Sequence, residues 1–375
     1  MSLYIDISEF LTNPITTGIQ RIAGEICQYA PPNTIIPSRL HMGGYIALPQ
    51  TLIKAIGNYF DNPGRSELAE IRELSSSERG SRIDVLPGDT VLVPEVFDNP
   101  NRIAFFRSLS ETDLRNYRFI VYDLLPVTHP EYFSAEGLVP IYQYFRLLQG
   151  VPHCGFISEY TRDVYYGRLK RTTARGGVVL PLGCDALGGR PKQPFLNRPL
   201  TFSVLGTIEP RKNHRLILEA FEPLLKQVEG LTLLFIGKMG WVDSELAQRV
   251  TMLSADRNSG LQFISTPGDD EIRRHVEQSR ATIYISAAEG YGLPPVESLW
   301  IGTPVIASTT IPSLERLGSQ GVHYVEPLNV VNLRRAILAF LDDSYANKKT
   351  EETLSLNLPT WRSFTQEVLR WCTQD

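Results

Sequence analysis

Two glutamates, Glu289 and Glu297, bracket a short segment that reads Glu-Gly-Tyr-Gly-Leu-Pro-Pro-Val-Glu. The apolar, β-branched run 281–286 before it predicts a buried strand, and the run 296–301 after it predicts a helix. A glycine-bearing loop at a helix N-terminus presents free backbone N–H groups and a positive dipole end, which attract an anion. Carboxylates repel a bare anion, but they accept hydrogen bonds from hydroxyl groups. Considered alone, each glutamate could simply be an acidic residue whose negative charge complements the positive end of the helix dipole. Together with the loop, they favour a ligand with anionic and hydroxyl parts, such as a nucleotide-sugar.

Two cations, Arg211 and Lys212, follow the predicted strand 201–205 and directly precede a predicted helix that begins near Asn213. Cations at a helix N-terminus oppose the macrodipole and cost about 0.3–1 kcal/mol each when exposed. A bound diphosphate gives a reason for them, because guanidinium, ammonium and backbone N–H groups can converge on its oxygens. Taken alone, Arg211 and Lys212 are explained equally well as two solvated side chains without a ligand. The anion-attracting loop at 290–293 favours the binding interpretation.

Both halves of the chain alternate apolar strands with helices, which predicts parallel sheets in two doubly wound, Rossmann-like α/β domains that face a cleft. Ligands of such sheets gather at the carboxyl ends of the strands. The predicted strands are 3–7, 90–93, 118–122, 154–157 and 178–180 in the first half, and 201–205, 231–236, 261–265, 281–286 and 304–307 in the second. We predict a first domain over 1–186, a linker over 187–199, which is rich in glycine and proline, and a second domain over 200–355. An amphipathic helix falls within 356–375.

The composition is that of a globular chain of 375 residues with a net charge of −4, which argues against a general nucleic-acid binder. The four cysteines are scattered, which favours reduced thiols in the cytoplasm and predicts no metal site of the zinc type. The sequence predicts no signal peptide and no membrane-spanning segment. Basic residues in 162–175 could contact an anionic membrane, although a solvated basic face accounts for them better. Oligomeric state is not predicted.

The order of motifs in the second half resembles the C-terminal domain of GT4-type retaining glycosyltransferases, which share the GT-B fold. The resemblance spans roughly 200–345 and rests on Gly206, Arg211-Lys212, Gly237, Glu289-Gly-Tyr-Gly-Leu-Pro, Glu297 and Gly302-Thr-Pro-Val305. A looser similarity to bacterial O-antigen mannosyltransferases continues through Thr17-Gly-Ile-Gln-Arg21, Tyr122-Asp-Leu-Leu-Pro126, Ser158-Glu-Tyr-Thr-Arg162 and Pro181-Leu-Gly183. In this family the C-terminal helix packs back on the first domain.

The resemblance implies a role for each matching residue. Arg211 and Lys212 would bind the donor diphosphate, Glu289 the donor sugar hydroxyls and Glu297 the ribose. Glu289, Arg211, Lys212 and Asp123 form the expected catalytic set. The expected donor-binding set is Gly18, Gly206, Arg211, Lys212, Gly290, Tyr291, Gly292, Leu293 and Glu297. Gly18 would allow backbone to approach the ligand closely, but an ordinary turn glycine fits equally well.

The chain departs from the family pattern in the first half. Tyr122 stands where many relatives carry histidine before the aspartate, and Gly18 is single where many relatives have two glycines. His129, six residues after Asp123, is predicted to be a surface-loop histidine.

The resemblance implies transfer of a hexose with retained anomeric configuration, with GDP-mannose as the favoured donor and a bacterial surface glycan, free or lipid-linked, as the acceptor. The sequence has no Asp-x-Asp triplet, so cations and helix dipoles are expected to stabilise the departing diphosphate without a metal or other cofactor. Two alternatives remain. One is a nucleotide-sugar epimerase of the same fold, and the other is a non-catalytic subunit that binds nucleotide-sugars in a glycan-assembly complex.

Overall fold

The computed structural model of the protein describes residues 2–14, 18–61, 64–76, 80–173 and 176–374. The chain divides into two compact units. The first comprises the residues through Gly183 together with those from Thr360 onward, and the second comprises Cys184–Pro359. The predicted linker 187–199 lies in the second unit, where Arg190 donates to the Thr353 and Leu356 carbonyls and Arg198 donates to the Gly302 carbonyl. These hydrogen bonds attach that segment to the body of the second unit.

The first unit contains a sheet of eight strands in the order β4-β3-β2-β1-β5-β6-β7-β8. All neighbouring strands are parallel except β3, which runs antiparallel to β2 and β4. The strands are β1 (Leu3–Asp6), β2 (Ile36–His41), β3 (Gly44–Ala47), β4 (Ser81–Ile83), β5 (Thr90–Val93), β6 (Tyr117–Val121), β7 (His153–Phe156) and β8 (Val178–Val179). The sequence predicted the parallel strands on one side of β1 but not the meander β2–β4.

The helices of the first unit follow its strands in chain order. They are α1 (Ser8–Thr12), α2 (Gly18–Tyr29), α3 (Thr51–Asp61), α4 (Arg65–Leu74), α5 (Pro100–Ser108), α6 (Glu111–Leu114), α7 (Leu125–Thr128), α8 (Ala135–Leu148) and α9 (Glu159–Val164). A core of apolar and aromatic side chains, including Phe97, Phe106 and Phe119, packs against strands β5 and β6.

The second unit contains six parallel strands in the order β11-β10-β9-β12-β13-β14. The strands are β9 (Thr201–Leu205), β10 (Thr232–Ile236), β11 (Leu261–Ile264), β12 (Ala281–Tyr284), β13 (Val305–Ala307) and β14 (Val322–Tyr324). The helices are α10 (His214–Leu225), α11 (Ser244–Ala255), α12 (Asp269–Gln278), α13 (Leu293–Trp300), α14 (Val330–Leu341) and α15 (Asp343–Leu354). This confirms the predicted parallel α/β class, and β14 is an additional edge strand. The predicted cleft between the domains stays a prediction.

Each sheet reverses its strand order at one point. In the second unit the chain steps from β9 outward to β11 and then returns to the other side of β9 with β12. In the first unit the corresponding reversal lies between β1 and β5. The loops that leave the two strands diverge at such a point and leave a crevice at their carboxyl ends, where ligands of open α/β sheets bind.

The last helix, α16 (Trp361–Thr373), belongs to the first unit. Its Cys372 carbonyl accepts a hydrogen bond from Thr90 Oγ1 at 3.1 Å, and its Trp371 carbonyl accepts one from Arg118 Nε at 3.2 Å. The helix also packs against α2, and Trp361, Phe364 and Val368 form its buried face. These contacts attach the C-terminal segment to the first sheet although 176 residues of the second unit separate it from the rest of that unit.

No helix in the described part of the chain combines the length and the apolar character needed to cross a bilayer.

Replacing Trp361 by alanine should destabilise the first unit by about 3–5 kcal/mol, because a fully buried indole is removed from a packed interface. Gln366→Ala, an exposed position on the same helix, serves as the control and should change stability by less than about 0.5 kcal/mol. Urea unfolding followed by circular dichroism measures both. Equal midpoints for the two variants would contradict the packing role of α16.

Candidate functional site

The turns that leave β9 and β12 are joined to each other by hydrogen bonds. After β9 the chain forms a single 3₁₀ turn, Pro210–Lys212, followed by Asn213 in the left-handed conformation with φ +57°. Asn213 occupies the N-cap position of α10, but its side-chain amide donates to the Ile285 carbonyl at 2.8 Å. The Arg211 carbonyl accepts from the Ala287 N–H at 2.7 Å. The segments that carry Arg211 and Glu289 are therefore held together at the carboxyl ends of adjacent strands.

Arg211 lies between two carboxylates. Its Nη1 pairs with Glu289 Oε1 and donates to the Ala288 carbonyl at 3.1 Å, and its Nη2 pairs with Glu209 Oε1 at 2.7 Å. Burial lowers the pKa of the guanidinium, but the two carboxylates raise it by more, so the Arg211 pKa lies above its ordinary value. Arg211 stays charged and holds the side chain of Glu289, which is only 8% exposed.

Tyr284, at the end of β12, supplies a second anchor for Glu289. Its hydroxyl donates to Glu289 Oε1 at 2.7 Å. Burial, with a further contribution from the Glu289 charge, raises the pKa of Tyr284 well above its ordinary value. The phenol therefore remains a proton donor. Because both of these contacts use Oε1 of Glu289, Oε2 is the oxygen that remains for a ligand.

Lys212 is also a buried cation, but carboxylates compensate its charge less closely than they compensate that of Arg211. Its nearest carboxylate partner among the described residues is Glu209, whose Oε1 lies 3.8 Å from Lys212 Nζ. Burial, and then the neighbouring Arg211, lower the pKa of Lys212. Gly206 makes room for this side chain, because a Cβ atom at position 206 would collide with Lys212 Nζ, and the backbone there has φ +112°. The geometry thus supports both Gly206 and Lys212 as parts of one site.

The loop from Gly290 to Leu293 passes directly into α13. Gly292 has φ +90°, and a Cβ atom on it would lie 2.6 Å from Ile311 Cγ2. The neighbouring Ser313 fixes the loop, since its N–H donates to the Tyr291 carbonyl at 2.9 Å and its hydroxyl to the Gly292 carbonyl at 2.6 Å. The helix starts at Leu293, whose N–H has no partner within the helix, and the next two positions, Pro294 and Pro295, carry no N–H.

Glu297 lies one turn further along α13 and is partly exposed. Its charge contributes, after burial and Asp185, to raising the pKa of Cys184. The structure therefore places Gly206, Arg211, Lys212, Glu289 and the 290–293 loop at the β9/β12 reversal, with Glu297 on the helix that begins there. The assigned roles of these residues stay predictions.

The first unit contains a pocket of about 530 Å³ that we call the acidic pocket, because Glu9, Glu95, Asp98 and Asp123 line it. It lies at the β1/β5 reversal, and its remaining lining is mainly apolar and aromatic. Asp123, the predicted catalytic aspartate, is the second residue after β6. The structure thus places Asp123 in a ligand-sized pocket of the first unit.

Other sequence-based expectations for the first unit concern Gly18, Tyr122 and His129. Gly18 is exposed at the start of α2, and no described atom lies within 4 Å of a Cβ built there, while the Thr16 and Thr17 that precede it fall outside the described residues. Tyr122 is buried, donates to the Pro94 carbonyl, and has a pKa raised well above its ordinary value by burial. Tyr122 is therefore a structural hydrogen-bond donor at the position before Asp123. His129 is partly exposed and pairs with Glu131 at 3.0 Å, as expected of a surface residue.

Glu95, Glu209 and Tyr284 complete these sites, although sequence reasoning did not single them out. Glu95 is buried and accepts from the Glu9 and Phe10 N–H groups at 2.9 and 2.8 Å, and burial raises its pKa to about 8. Two signals were available in the sequence. Tyr284 places a hydroxyl at the end of an otherwise apolar strand, and Glu209 precedes the two cations by two residues. No local signal indicated Glu95, because its partners are 85 residues away or more.

Comparison with known proteins assigns the second unit. Residues 190–355 match the family model described as glycosyl transferases group 1. This segment is a group 1 glycosyltransferase domain. The serotype-specific mannosyltransferase WbdA of Escherichia coli is 27% identical over 170 residues, which cover 45% of this chain and 20% of WbdA. The O-antigen chain mannosyltransferase B of Escherichia coli is 31% identical over 153 residues, covering 40% of this chain and 39% of that protein. The chain thus matches well under half of the length of each of these relatives.

Solved structures resemble the whole chain. Sucrose-phosphate synthase from Thermosynechococcus elongatus superposes with a TM-score of 0.64 at 13% identity, covering 98% of this chain and 97% of that one. WaaG, described as a glycosyltransferase involved in lipopolysaccharide biosynthesis, gives a TM-score of 0.61 at 12% identity, with 100% of both chains covered. At this identity the likeness establishes the fold, and it confirms the predicted GT-B fold.

Variants of the two adjacent cations should differ in stability. Arg211→Met removes the main cationic partner of two largely buried carboxylates and leaves Glu289 with the Tyr284 hydroxyl and Glu209 with the more distant Lys212. Removing one partner of a fully buried pair costs about 3–5 kcal/mol, and the cost is less here because Arg211 is 19% exposed. Lys212→Met removes a buried side chain whose charged ammonium form is disfavoured by burial. The free energy of unfolding of this variant should therefore be equal to that of the wild-type chain or slightly higher. Chemical denaturation measures both. A Lys212→Met chain that is the less stable of the two would contradict this charge assignment.

Proposed function

We propose that the protein is a retaining glycosyltransferase that moves a hexose from a nucleotide-diphosphate sugar to a glycan acceptor, without a metal ion. The observation that carries the proposal is the Arg211–Glu289 ion pair beside Lys212 at the β9/β12 reversal, within the group 1 glycosyltransferase domain. Cations and carboxylates alternate there over a few ångströms, which suits a ligand that joins phosphates to hydroxyl groups.

In this proposal Lys212 binds the diphosphate directly. It is the cation with the weaker carboxylate partner, and a phosphate oxygen would offset its burial. The Leu293 N–H at the start of α13 would supply a further donor. Arg211 would contribute positive charge from a fixed position, since Glu209 and Glu289 already hold its guanidinium. Charge fixed in advance stabilises a departing diphosphate without reorganisation.

Glu289 would then recognise the sugar. Arg211 and Tyr284 both hold its Oε1, which leaves Oε2 to accept a hydrogen bond from a sugar hydroxyl. Glu297 would accept from the ribose. Retention would follow from attack on the same face as the departing phosphate, which takes up the acceptor proton.

We favour GDP-mannose as the donor and a bacterial surface glycan, free or lipid-linked, as the acceptor, because WbdA and O-antigen chain mannosyltransferase B are both mannosyltransferases and the second is an O-antigen chain enzyme. The acidic pocket is our candidate acceptor site, with Asp123 as its catalytic residue. Its carboxylates suit a hydroxyl-rich ligand and its aromatic lining suits the apolar face of a sugar.

The reaction would take place in the cytoplasm, where nucleotide-sugars are made, or at the cytoplasmic face of the membrane if the acceptor is lipid-linked. In the basic stretch 162–175, Arg162 pairs with Glu159, which lowers the net positive charge of its start, and Arg175 lies outside the described residues. Membrane contact therefore stays a prediction.

The proposal is tested by incubating the protein with GDP-mannose, with and without a mannose-terminated glycan, and analysing products by NMR spectroscopy. We expect an α-linked product from the α-linked donor, slow donor hydrolysis without acceptor and no effect of EDTA. A new nucleotide-sugar formed without acceptor would instead identify an epimerase, and tight binding without turnover would identify a non-catalytic subunit. The same assay with UDP-, dTDP- and ADP-sugars identifies the base.

Affinity for the nucleoside diphosphate should fall as pH rises. Free Lys212 has a pKa below its ordinary 10.5, and a bound diphosphate would raise it because phosphate stabilises the ammonium form. Between the two values binding takes up a proton, so the dissociation constant should increase by up to about tenfold per pH unit. Calorimetric titration with GDP at several alkaline pH values measures the slope. The Lys212→Met chain should bind more weakly and lose the slope, and a wild-type affinity independent of pH would contradict direct binding by Lys212.

A further inference from the structure

A second cavity of the first unit has the opposite charge character to the acidic pocket. It measures about 660 Å³ and lies between α1, the turn that joins β2 to β3, and α5. Arg39, His41, Asn99 and Asn101 line it, together with the hydroxyl-bearing residues Ser8 and Thr12. No aspartate or glutamate among the described residues belongs to its lining. We call it the basic cavity.

Arg39 is the principal cation of the basic cavity. Its Nη1 donates to the Ser75 carbonyl at 3.2 Å, and its Nη2 lies 3.4 Å from His41 Nδ1. In the described part of the chain it forms an ion pair with no carboxylate. Arg39 is only partly exposed, so water compensates its charge incompletely. A half-buried guanidinium that has no carboxylate partner among the described residues, and that lines a ligand-sized cavity, points to an anionic ligand.

The contact between Arg39 and His41 also determines which ring nitrogen of His41 carries the hydrogen. A guanidinium can only donate, so His41 Nδ1 accepts and the ring hydrogen resides on Nε2. His41 thereby offers a donor to the cavity. The side-chain amides of Asn99 and Asn101 can donate as well, although Asn99 Oδ1 already accepts from the Asn101 and Arg102 N–H groups. The hydroxyls of Ser8 and Thr12 already donate to Asp6 Oδ1 and to the Ser8 carbonyl, so they line the cavity without supplying a further donor.

Arg102 also lines the basic cavity, but its charge is compensated. Its Nη2 pairs with Asp6 at 2.8 Å and its Nη1 with Glu9 at 3.3 Å. Its buried Nε has no hydrogen-bond partner in the described structure. Arg102 therefore forms a rigid polar wall, and the uncompensated charge of the cavity remains that of Arg39.

We propose that the basic cavity binds a phosphate ester, with Arg39 as its cation and His41 Nε2 and the side-chain amides of Asn99 and Asn101 as neutral donors. The planar guanidinium fork matches two phosphate oxygens, and the further donors suit a group with more acceptor oxygens than a carboxylate has. The volume exceeds that of a bare phosphate, so an organic group attached to it would share the cavity. This site is distinct from the β9/β12 site, and the inference does not depend on the proposed function.

The phosphate could belong to a soluble ester or to a lipid headgroup. Met42, at the tip of the β2–β3 turn, lines the same cavity and is 91% exposed. Both sources present the same chemistry to Arg39, so separate measurements must distinguish them.

The test uses the full-length Lys212→Met chain, which removes the cation expected to bind phosphate in the second unit. Calorimetric titration with glycerol 3-phosphate measures soluble binding, and co-sedimentation with phosphatidylcholine vesicles, with and without phosphatidic acid, measures lipid binding. Arg39→Gln should weaken the binding of glycerol 3-phosphate or of phosphatidic acid vesicles at least about tenfold, because it removes one pair of charge-assisted hydrogen bonds. Arg39→Lys keeps the charge and should weaken the binding less. Arg82→Gln, which removes the same charge from an exposed position on β4 of the same sheet, is the matched control and should bind like the parent.

Arg39-dependent binding of either probe supports the proposal, and the probe that binds identifies the source. Absence of binding to both probes, or equal binding by Arg39→Gln and its parent, would overturn it. If Arg39→Gln does not fold, the Lys212→Met chain still gives an answer through the ring nitrogens of its six histidines in NMR spectra. The His41 signal, identified by its loss in His41→Gln, should shift on adding glycerol 3-phosphate or a short-chain, water-soluble phosphatidic acid. A His41 signal that neither probe changes would reject the site.

Discussion

The ion pair between Arg211 and Glu289 is the interaction on which the arrangement of the second unit's site depends. Both partners are largely buried, and neither charge would be tolerated there alone, because burying an unpaired ion costs several kcal/mol. The reversal of strand order makes the pair possible by placing the turns after β9 and β12 side by side. Backbone hydrogen bonds then fix those turns, so the sheet topology sets the distance between the cation and the carboxylate.

The same pair explains why two adjacent cations have different tasks. Arg211 is held by carboxylates on both sides, whereas the one ion pair of Lys212 within the described residues is the longer contact with Glu209 at 3.8 Å. One cation therefore orients Glu289, and the other is available to an anion. Removing Arg211 would disturb the site through its carboxylates, and removing Lys212 would disturb it through its ligand.

The first unit organises charge in a comparable way around Arg102. Asp6 and Glu9 pair with Arg102 and hold α1 between the acidic pocket and the basic cavity. Glu9 lines the acidic pocket, whereas Ser8 and Thr12, on the same short helix, line the basic cavity. Two cavities of opposite character thus share one wall, and each can select a different part of a ligand or a different ligand.

The sequence predicted the features that local pattern determines. Apolar runs separated by helices indicated the parallel sheets, and the Glu289–Glu297 motif indicated the loop and helix that the structure places beside Arg211. It did not predict the β2–β4 meander, whose strands are short and lack a continuous apolar run, for example Ile36–His41. Nor did it indicate Glu95, Glu209 or the Arg39–His41 pair as site residues, because their significance depends on partners and cavities that only the folded chain brings together. The division at Gly183 and Cys184 likewise depends on contacts of the segment 187–199 that its glycines and prolines do not reveal.

The central claim is that Glu289, held by Arg211 and Tyr284, recognises the sugar part of a nucleotide-sugar. Calorimetric titration of the wild-type chain and Glu289→Gln with GDP and with GDP-mannose tests it most directly. Glutamine keeps the shape of the side chain and one hydrogen-bond acceptor but loses the charge. We predict that Glu289→Gln loses about tenfold or more of its affinity for GDP-mannose, as expected for a charge-assisted hydrogen bond, and keeps its affinity for GDP within about threefold. An equal loss for both ligands, or no loss for either, would contradict the account.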